Sequence, residues 1–212
     1  MRKIRRPSAV LLSKIVLGSA LLASLSGCFG LIVGAGVAGA VSAVDRRTLG
    51  AQTEDKSITV KGEMKMNQVV GSAGNVNVTS YNRRVLLTGE VRDEAMKQAA
   101  EREIRAIENV VGVINELEIS GSSSFTSRSN DTLITTKVKT SLVDMKTVSA
   151  NSFKVTTERG VVYLMGVVTQ REGEIAANVA KGVSGVRRVV KIFEYISEED
   201  ARATTNNPTL SQ

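Results

Sequence analysis

Val85-Leu-Leu-Thr-Gly-Glu-Val91 and Val162-Tyr-Leu-Met-Gly-Val-Val168 are one seven-residue phrase written twice, 77 residues apart. Each is an apolar run with glycine at its fifth position, the signature of a buried strand with a bulge or a close approach at the glycine. Working upstream, Asn75-Val-Asn-Val-Thr79 stands against Ser152-Phe-Lys-Val-Thr156 at the same offset. Asp55-Lys-Ser-Ile-Thr-Val-Lys61 stands against Asp131-Thr-Leu-Ile-Thr-Thr-Lys137 at an offset of 76. Downstream, Gly112-Val113 matches Gly185-Val186 at 73, so the first copy holds about one extra helical turn between its central and final motifs. An internal repeat of this length decides the fold before any local propensity does.

Both copies predict the same element order. A short amphipathic helix (54–66 and 131–145) carries Asp or Asn near its start as a candidate cap. A strand (75–80 and 152–157), a polar turn and the glycine-bearing strand (84–91 and 161–168) follow. A longer helix (92–109 and 169–182) has apolar residues at helical spacing, such as Met96, Ala100, Ile104 and Ile107, and a last strand (113–119 and 186–196) closes the unit. The order α-β-β-α-β makes an α+β sandwich, a three-stranded sheet with helices packed on one face. The boundaries are 51–120 for the first module, 121–130 for a Gly/Ser-rich linker and 131–196 for the second module. The tail at 197–212 lacks apolar periodicity and is expected to be disordered.

The repeated strand and the closing Gly112-Val-Ile-Asn and Gly185-Val-Arg-Arg-Val resemble the BON domain, with its [V/L]-x-L-x-G-x-V strand and G-V-x-x-V end. The first copy departs further, with Gly62 in its first helix and Ile114-Asn-Glu where the second has Arg187-Arg-Val.

The amino terminus carries a second signal. Arg2, Lys3, Arg5 and Arg6 precede an apolar stretch from Ala9 to Ala23, and Leu25-Ser-Gly-Cys28 follows. This resembles a bacterial lipoprotein signal, residues 1–27, ending in a lipobox. The resemblance implies cleavage at Cys28, a diacylglyceryl thioether on its sulfur and an N-acyl chain on its amine, with no other cofactor. Cys28 is the only cysteine, so no internal disulfide competes for it. An uncleaved membrane helix is the alternative, disfavoured by Lys14 within the apolar run. Two or three acyl chains anchor durably where one binds reversibly. Phe29, rather than aspartate, follows the cysteine, which by the sorting rule of enteric bacteria implies the outer membrane, facing the periplasm. Within the tether segment 28–50, residues 29–44 are uncharged, with Gly34 and Ala38, and Gly36 and Ala40, at four-residue spacing. They read either as an apolar tether whose small residues allow helix contact or as a flexible linker; at 16 residues they fall short of the roughly 20 that span a bilayer.

Composition excludes much chemistry. The chain has no histidine, so histidine-based triads and histidine-ligated metals are unavailable, and no nucleotide-binding signature appears. The expectation is a protein with no catalytic residues and no metal, not an enzyme. After the signal, 23 basic and 21 acidic side chains remain, a net of +2. The 45–120 region carries −1, the 121–196 region +5 and the tail −2. The surplus charge of the second module points to an acidic partner. Nucleic acid is not expected in the periplasm.

Lipoproteins with two BON domains imply a membrane-contact site on the first helix of the second module, comprising Leu133, Ile134, Lys137, Lys139 and Thr140. Leu133 and Lys137 are four apart and share a helix face, pairing an apolar group with an ammonium as a headgroup region requires. Ile134, Val138 and Leu142, at i, i+4 and i+8, equally fit the stripe that faces the core. Lys181, Arg187, Arg188 and Lys191 form a second basic group around the closing strand that could extend the patch. The implied function is binding of anionic phospholipid in support of outer-membrane integrity, with the division site as one setting. The competing readings are an adaptor for outer-membrane assembly or cell-wall remodelling proteins such as amidase regulators, and a cell-wall or secretin-associated tether.

Overall fold

Each copy of the repeated phrase forms the central strand of its own sheet. The computed structural model describes residues 45–121 and 125–206. The signal segment, Cys28, the 29–44 stretch, residues 122–124 and residues 207–212 lie outside the described residues. The first module comprises α1 (Leu49–Val69), β1 (Asn75–Tyr81), β2 (Arg84–Val91), α2 (Glu94–Arg105), β3 (Gly112–Asn115) and β4 (Glu118–Ile119). The second comprises α3 (Phe125–Asp144), β5 (Phe153–Glu158), β6 (Val161–Val168), α4 (Gln170–Lys181) and β7 (Arg188–Tyr195), followed by α5 (Glu198–Asn206). In both sheets the central strand pairs antiparallel with the strand before it (Val78 opposite Leu87, Val155 opposite Leu164) and parallel with the closing strand (Val85 beside Val113, Val162 beside Val189). The parallel pairing follows from the helical crossover between those strands.

The two-residue hairpins are fixed by their turns. Asn82 and Arg83 have φ of 48° and 63°, and Arg159 and Gly160 have 49° and 74°, the left-handed pair that matches strand twist. Asp55 and Asp131 hold these turns. Asp55 accepts the backbone N–H groups of Asn82 (2.7 Å) and Arg83 (2.8 Å), and Asp131 accepts those of Arg159 and Gly160 (both 2.8 Å). Reading them as helix caps is therefore corrected, because both helices begin six residues earlier than these aspartates. The α1 cap is Thr48, whose hydroxyl accepts from the backbone N–H of Ala51 at 3.0 Å.

Other boundaries shift for physical reasons. The expected linker at 121–130 is largely taken up by α3, and the expected disordered tail contains α5, whose Ala201 is buried. Ser197 caps α5, its hydroxyl accepting from the backbone N–H of Asp200 at 3.0 Å. The first closing strand is split into β3 and β4 around Glu116 and the buried Leu117.

Why both central strands are apolar throughout is visible in their two faces. Val85, Leu87 and Val91 pack under α1 and α2, and Val162, Leu164 and Val168 under α3 and α4. The alternate residues Leu86, Val161, Tyr163 and Met165 form a third cluster with Tyr81, which closes the seam between the modules. A strand buried on both faces reads as a continuous apolar run.

Candidate functional site

The site expected on the second module begins with what holds α3 in place. Asp131 ties it to the hairpin turn, Thr135 donates its hydroxyl to that of Thr157 at 2.7 Å, and Ile134, Val138 and Leu142 enter the core. These anchors fix the rotation of the helix and leave one face outward. Leu133 is 60% exposed on it and Val143 63%, with Lys137, Thr136 and Thr140 also exposed. Met145, 41% exposed, and Lys146 follow directly.

The structure divides the expected contact residues. Leu133, Lys137 and Thr140 share the outer face, since positions four and seven apart nearly coincide on a helix. Ile134 does not: at 1% exposure it belongs to the core, and its assignment to a surface contact is corrected. Lys139 is exposed, yet lies about 200° around the helix from Lys137. It looks toward Lys154 on β5, whose ammonium feels its charge. Val143 and Met145 were missed in the sequence; their i+10 and i+12 spacing from Leu133 offers no simple periodic cue.

The second basic group does not assemble. Arg188 shares a sheet face with Val190 and Ile192 of the seam cluster and approaches Glu116 of the first module at 3.4 Å. Lys191 projects from the opposite face to Glu174 at 2.7 Å, and that carboxylate holds its pKa above the ordinary lysine value. Arg187 donates to the backbone carbonyl of Arg159 at 3.4 Å, and Lys181 is exposed at the end of α4. Two of the four cations thus have acidic partners on different faces of one strand, so they form no single patch.

Ionic bonding concentrates instead at the seam, where residues 45–48 cross both modules. Arg46 makes a bidentate pair with Glu172 of α4 (2.7 and 2.9 Å) and donates to the Val167 carbonyl. Its side chain is 5% exposed. Burial opposes ionisation of Glu172, but Arg46 and the Thr169 backbone N–H outweigh it and hold the carboxyl below its ordinary pKa. Arg47 pairs with Asp45 (2.6 Å) and Asp55 (2.7 Å) and stacks 3.9 Å over the Tyr81 ring. Burial and the nearby Asp45 push the Tyr81 hydroxyl up to about 12. Across the seam, Asn82 donates to Glu194 (2.7 Å), while Arg159 meets Glu90 (3.0 Å) and Glu118 (2.9 Å). Each hairpin turn thus reaches an acid of the other module.

Among the described residues no group of three or more acidic, cysteine or histidine side chains gathers as a metal would need, and no helix is long and apolar enough to cross a membrane. What α3 presents is an apolar and cationic surface set on a rigid core.

Comparison with known proteins agrees with this architecture. Residues 55–121 and 130–196 each match the BON domain. The chain is 38% identical to the "Outer membrane lipoprotein DolP" of Haemophilus influenzae, over 86% of its own length and 94% of that protein. It is 30% identical to the "21 kDa hemolysin" of Actinobacillus pleuropneumoniae, over 72% of this chain and 80% of that one. It is 29% identical to the "Osmotically-inducible protein Y" of Escherichia coli, over 64% and 70% respectively.

Proposed function

The chain belongs to the BON-domain family, as an outer-membrane lipoprotein with two such domains, and from that premise we propose that it is a non-catalytic binder of anionic phospholipid. Lipid on Cys28 holds it to the outer membrane, facing the periplasm, after the signal segment is removed. The outer face of α3 reads the bilayer in support of membrane integrity, including at the division site. The observation that carries this reading is Leu133, 60% exposed and one turn from the exposed Lys137. The same helix has already met its core requirement with Ile134, Val138 and Leu142. An exposed leucine on a helix already held by its own core is available to enter a headgroup region. Each lysine near an anionic surface then contributes on the order of 1 kcal/mol.

Vesicle co-sedimentation tests it. The wild-type chain should bind phosphatidylglycerol vesicles in proportion to their anionic fraction and release in high salt, because exposed charges are screened. Leu133→Glu should bind at least about tenfold more weakly, losing insertion and adding repulsion. Binding that ignores both salt and the substitution would sink the proposal.

A second reading, an adaptor for assembly or cell-wall remodelling proteins, draws support from α1. Val60 and Met64, one turn apart, are 54% and 56% exposed on the first module. Crosslinks from those two positions to one envelope protein would favour it over the lipid reading.

A further inference from the structure

The modules do not meet flush along β1 and β5. On one side of that line a cavity of about 500 Å3 opens, walled by α1 and by Ser80 of the first module and reached by Lys154 from the second. We propose that this cavity is a binding site for a phosphate group, held by Lys154 and Lys56 with Arg47 behind them.

The two lysines there make no direct ion pair of the kind their counterparts elsewhere make, although Asp45 and Asp55 lie near Lys154. Lys65 has Glu103 and Lys191 has Glu174, but among the described residues neither Lys154 nor Lys56 forms an ion pair. Asp55, the buried acid of the wall, is fully committed: its two oxygens accept from Ser80, Asn82, Arg83 and Arg47. Glu63 is exposed and bonded to no cation among the described residues. Lys154 is exposed at the surface, yet partial burial first, then the charges of Arg47 and Lys139, outweigh the opposing pull of Asp55 and Asp45 and hold its ammonium below the ordinary pKa. Folding therefore gathers like charges that an incoming anion would relieve.

The duplication supplies an internal control for whether packing demands this. Lys154 corresponds to Asn77 in the first module, and Lys139 to Glu63. A second cavity of about 580 Å3, which shares Glu63 with the first, is lined by Asn77, Arg128, Asp131 and Glu158, and there Asn77 donates to Glu158 at 3.1 Å. The same strand position thus closes one side of the seam with a neutral amide. Lysine at its duplicate therefore adds a positive charge that packing does not require. Ammonium groups on flexible stems bind phosphate as point charges without fixed geometry, which suits an open cavity. The phosphate could be that of a lipid headgroup or free in solution.

The test uses the full chain in maltoside micelles at constant ionic strength, followed by backbone amide shifts. Inorganic phosphate and glycerophosphoglycerol, a soluble phosphodiester headgroup, are each titrated to about 50 mM. Saturable shifts at Lys154 and Lys56 are expected. Lys154→Gln should weaken binding about fivefold and Glu63→Gln, which removes the nearby negative charge, should tighten it about twofold. Tighter binding of the headgroup identifies a lipid as the source; equal or tighter binding of inorganic phosphate identifies a free anion. Leu133→Glu should leave these shifts unchanged, which separates this site from the outer face of α3. Absence of shifts at Lys154 with both probes, or equal affinity in Lys154→Gln, overturns the proposal.

Discussion

At Gly89 the backbone has φ of +113°, and a Cβ there would lie 2.0 Å from the carbonyl oxygen of Asn75. Both facts forbid a side chain, one by conformation and the other by collision with backbone that cannot swing away. Gly89→Ala should therefore destabilise by roughly 2–4 kcal/mol, read as a fall in the urea midpoint. Gly71 is the control: its φ is +51° but nothing lies within 4 Å of the added carbon. Its alanine variant should lose only about 1 kcal/mol. The repeated phrase makes Gly89 and Gly166 conspicuous in the sequence, but not what presses on them. The neighbours are the carbonyls of Asn75 and Ser152 on the approach to each first strand, rather than a packed helix. The two aspartates teach the same lesson. Their position near a helix start suggests a cap, whereas their real partners are turn amides 27–29 residues away, fixed only once the hairpin has docked. Asp55 serves Ser80 and Arg47 besides the two amides, so Asp55→Ala should cost about 1–3 kcal/mol more than Asp131→Ala in the same unfolding assay.

Among the elements, α3 divides most sharply into a face that stabilises and a face that is free to bind. Ile134→Ala removes a fully buried side chain from beneath β5 and β6 and should cost about 2–5 kcal/mol. Leu133→Ala, one residue earlier, should change stability by no more than about 0.5 kcal/mol while weakening vesicle binding. Thermal unfolding and co-sedimentation on the same two samples check this crossing of effects, and a large stability loss at Leu133 would refute the free face. The apolar i, i+4, i+8 series already indicates which residues turn inward. The two-residue spacing of Lys137 and Lys139 already sends them to different sides of the helix. It does not show that Lys139 faces Lys154 on β5, which depends on how the helix docks on its sheet. The start of α3 and the whole of α5 were illegible for a related reason. The first stretch of α3, Phe125-Thr-Ser-Arg-Ser-Asn130, is rich in weak helix formers, while α5 is a nine-residue helix without an apolar stripe, and its Ala201 is buried in the folded chain.

For the molecule as a whole, the issue is what keeps the modules in one arrangement. The apolar cluster of Leu86, Tyr163 and Met165 supplies contact area, on the sheet faces that the expected sandwich, with helices on one face only, left without a partner. Orientation is set by ionic bonds, chiefly Arg46 with Glu172, which tie the segment leading from the anchor directly to the second module. Any position taken up by residues 45–48 is thereby transmitted to α4. Removing one partner strands the other, so Arg46→Ala should cost about 3–5 kcal/mol and loosen the modules, seen as lost inter-module nuclear Overhauser contacts. Acid should act through the same bond. Since the Glu172 pKa is depressed in the folded chain, its contribution is complete above the ordinary glutamate value of 4.5 and disappears as pH falls through the folded value. Glu158 acts in the opposite sense: burial, then Glu90 and Asp131, raise its pKa, so its protonation relieves repulsion at the seam as pH falls. Melting temperature should thus decline more steeply with acid in Glu158→Gln, which lacks the relief, and less steeply in Arg46→Ala, which has lost the bond. Parallel melting curves for those two variants below pH about 4.5 would show that neither carboxyl governs the seam.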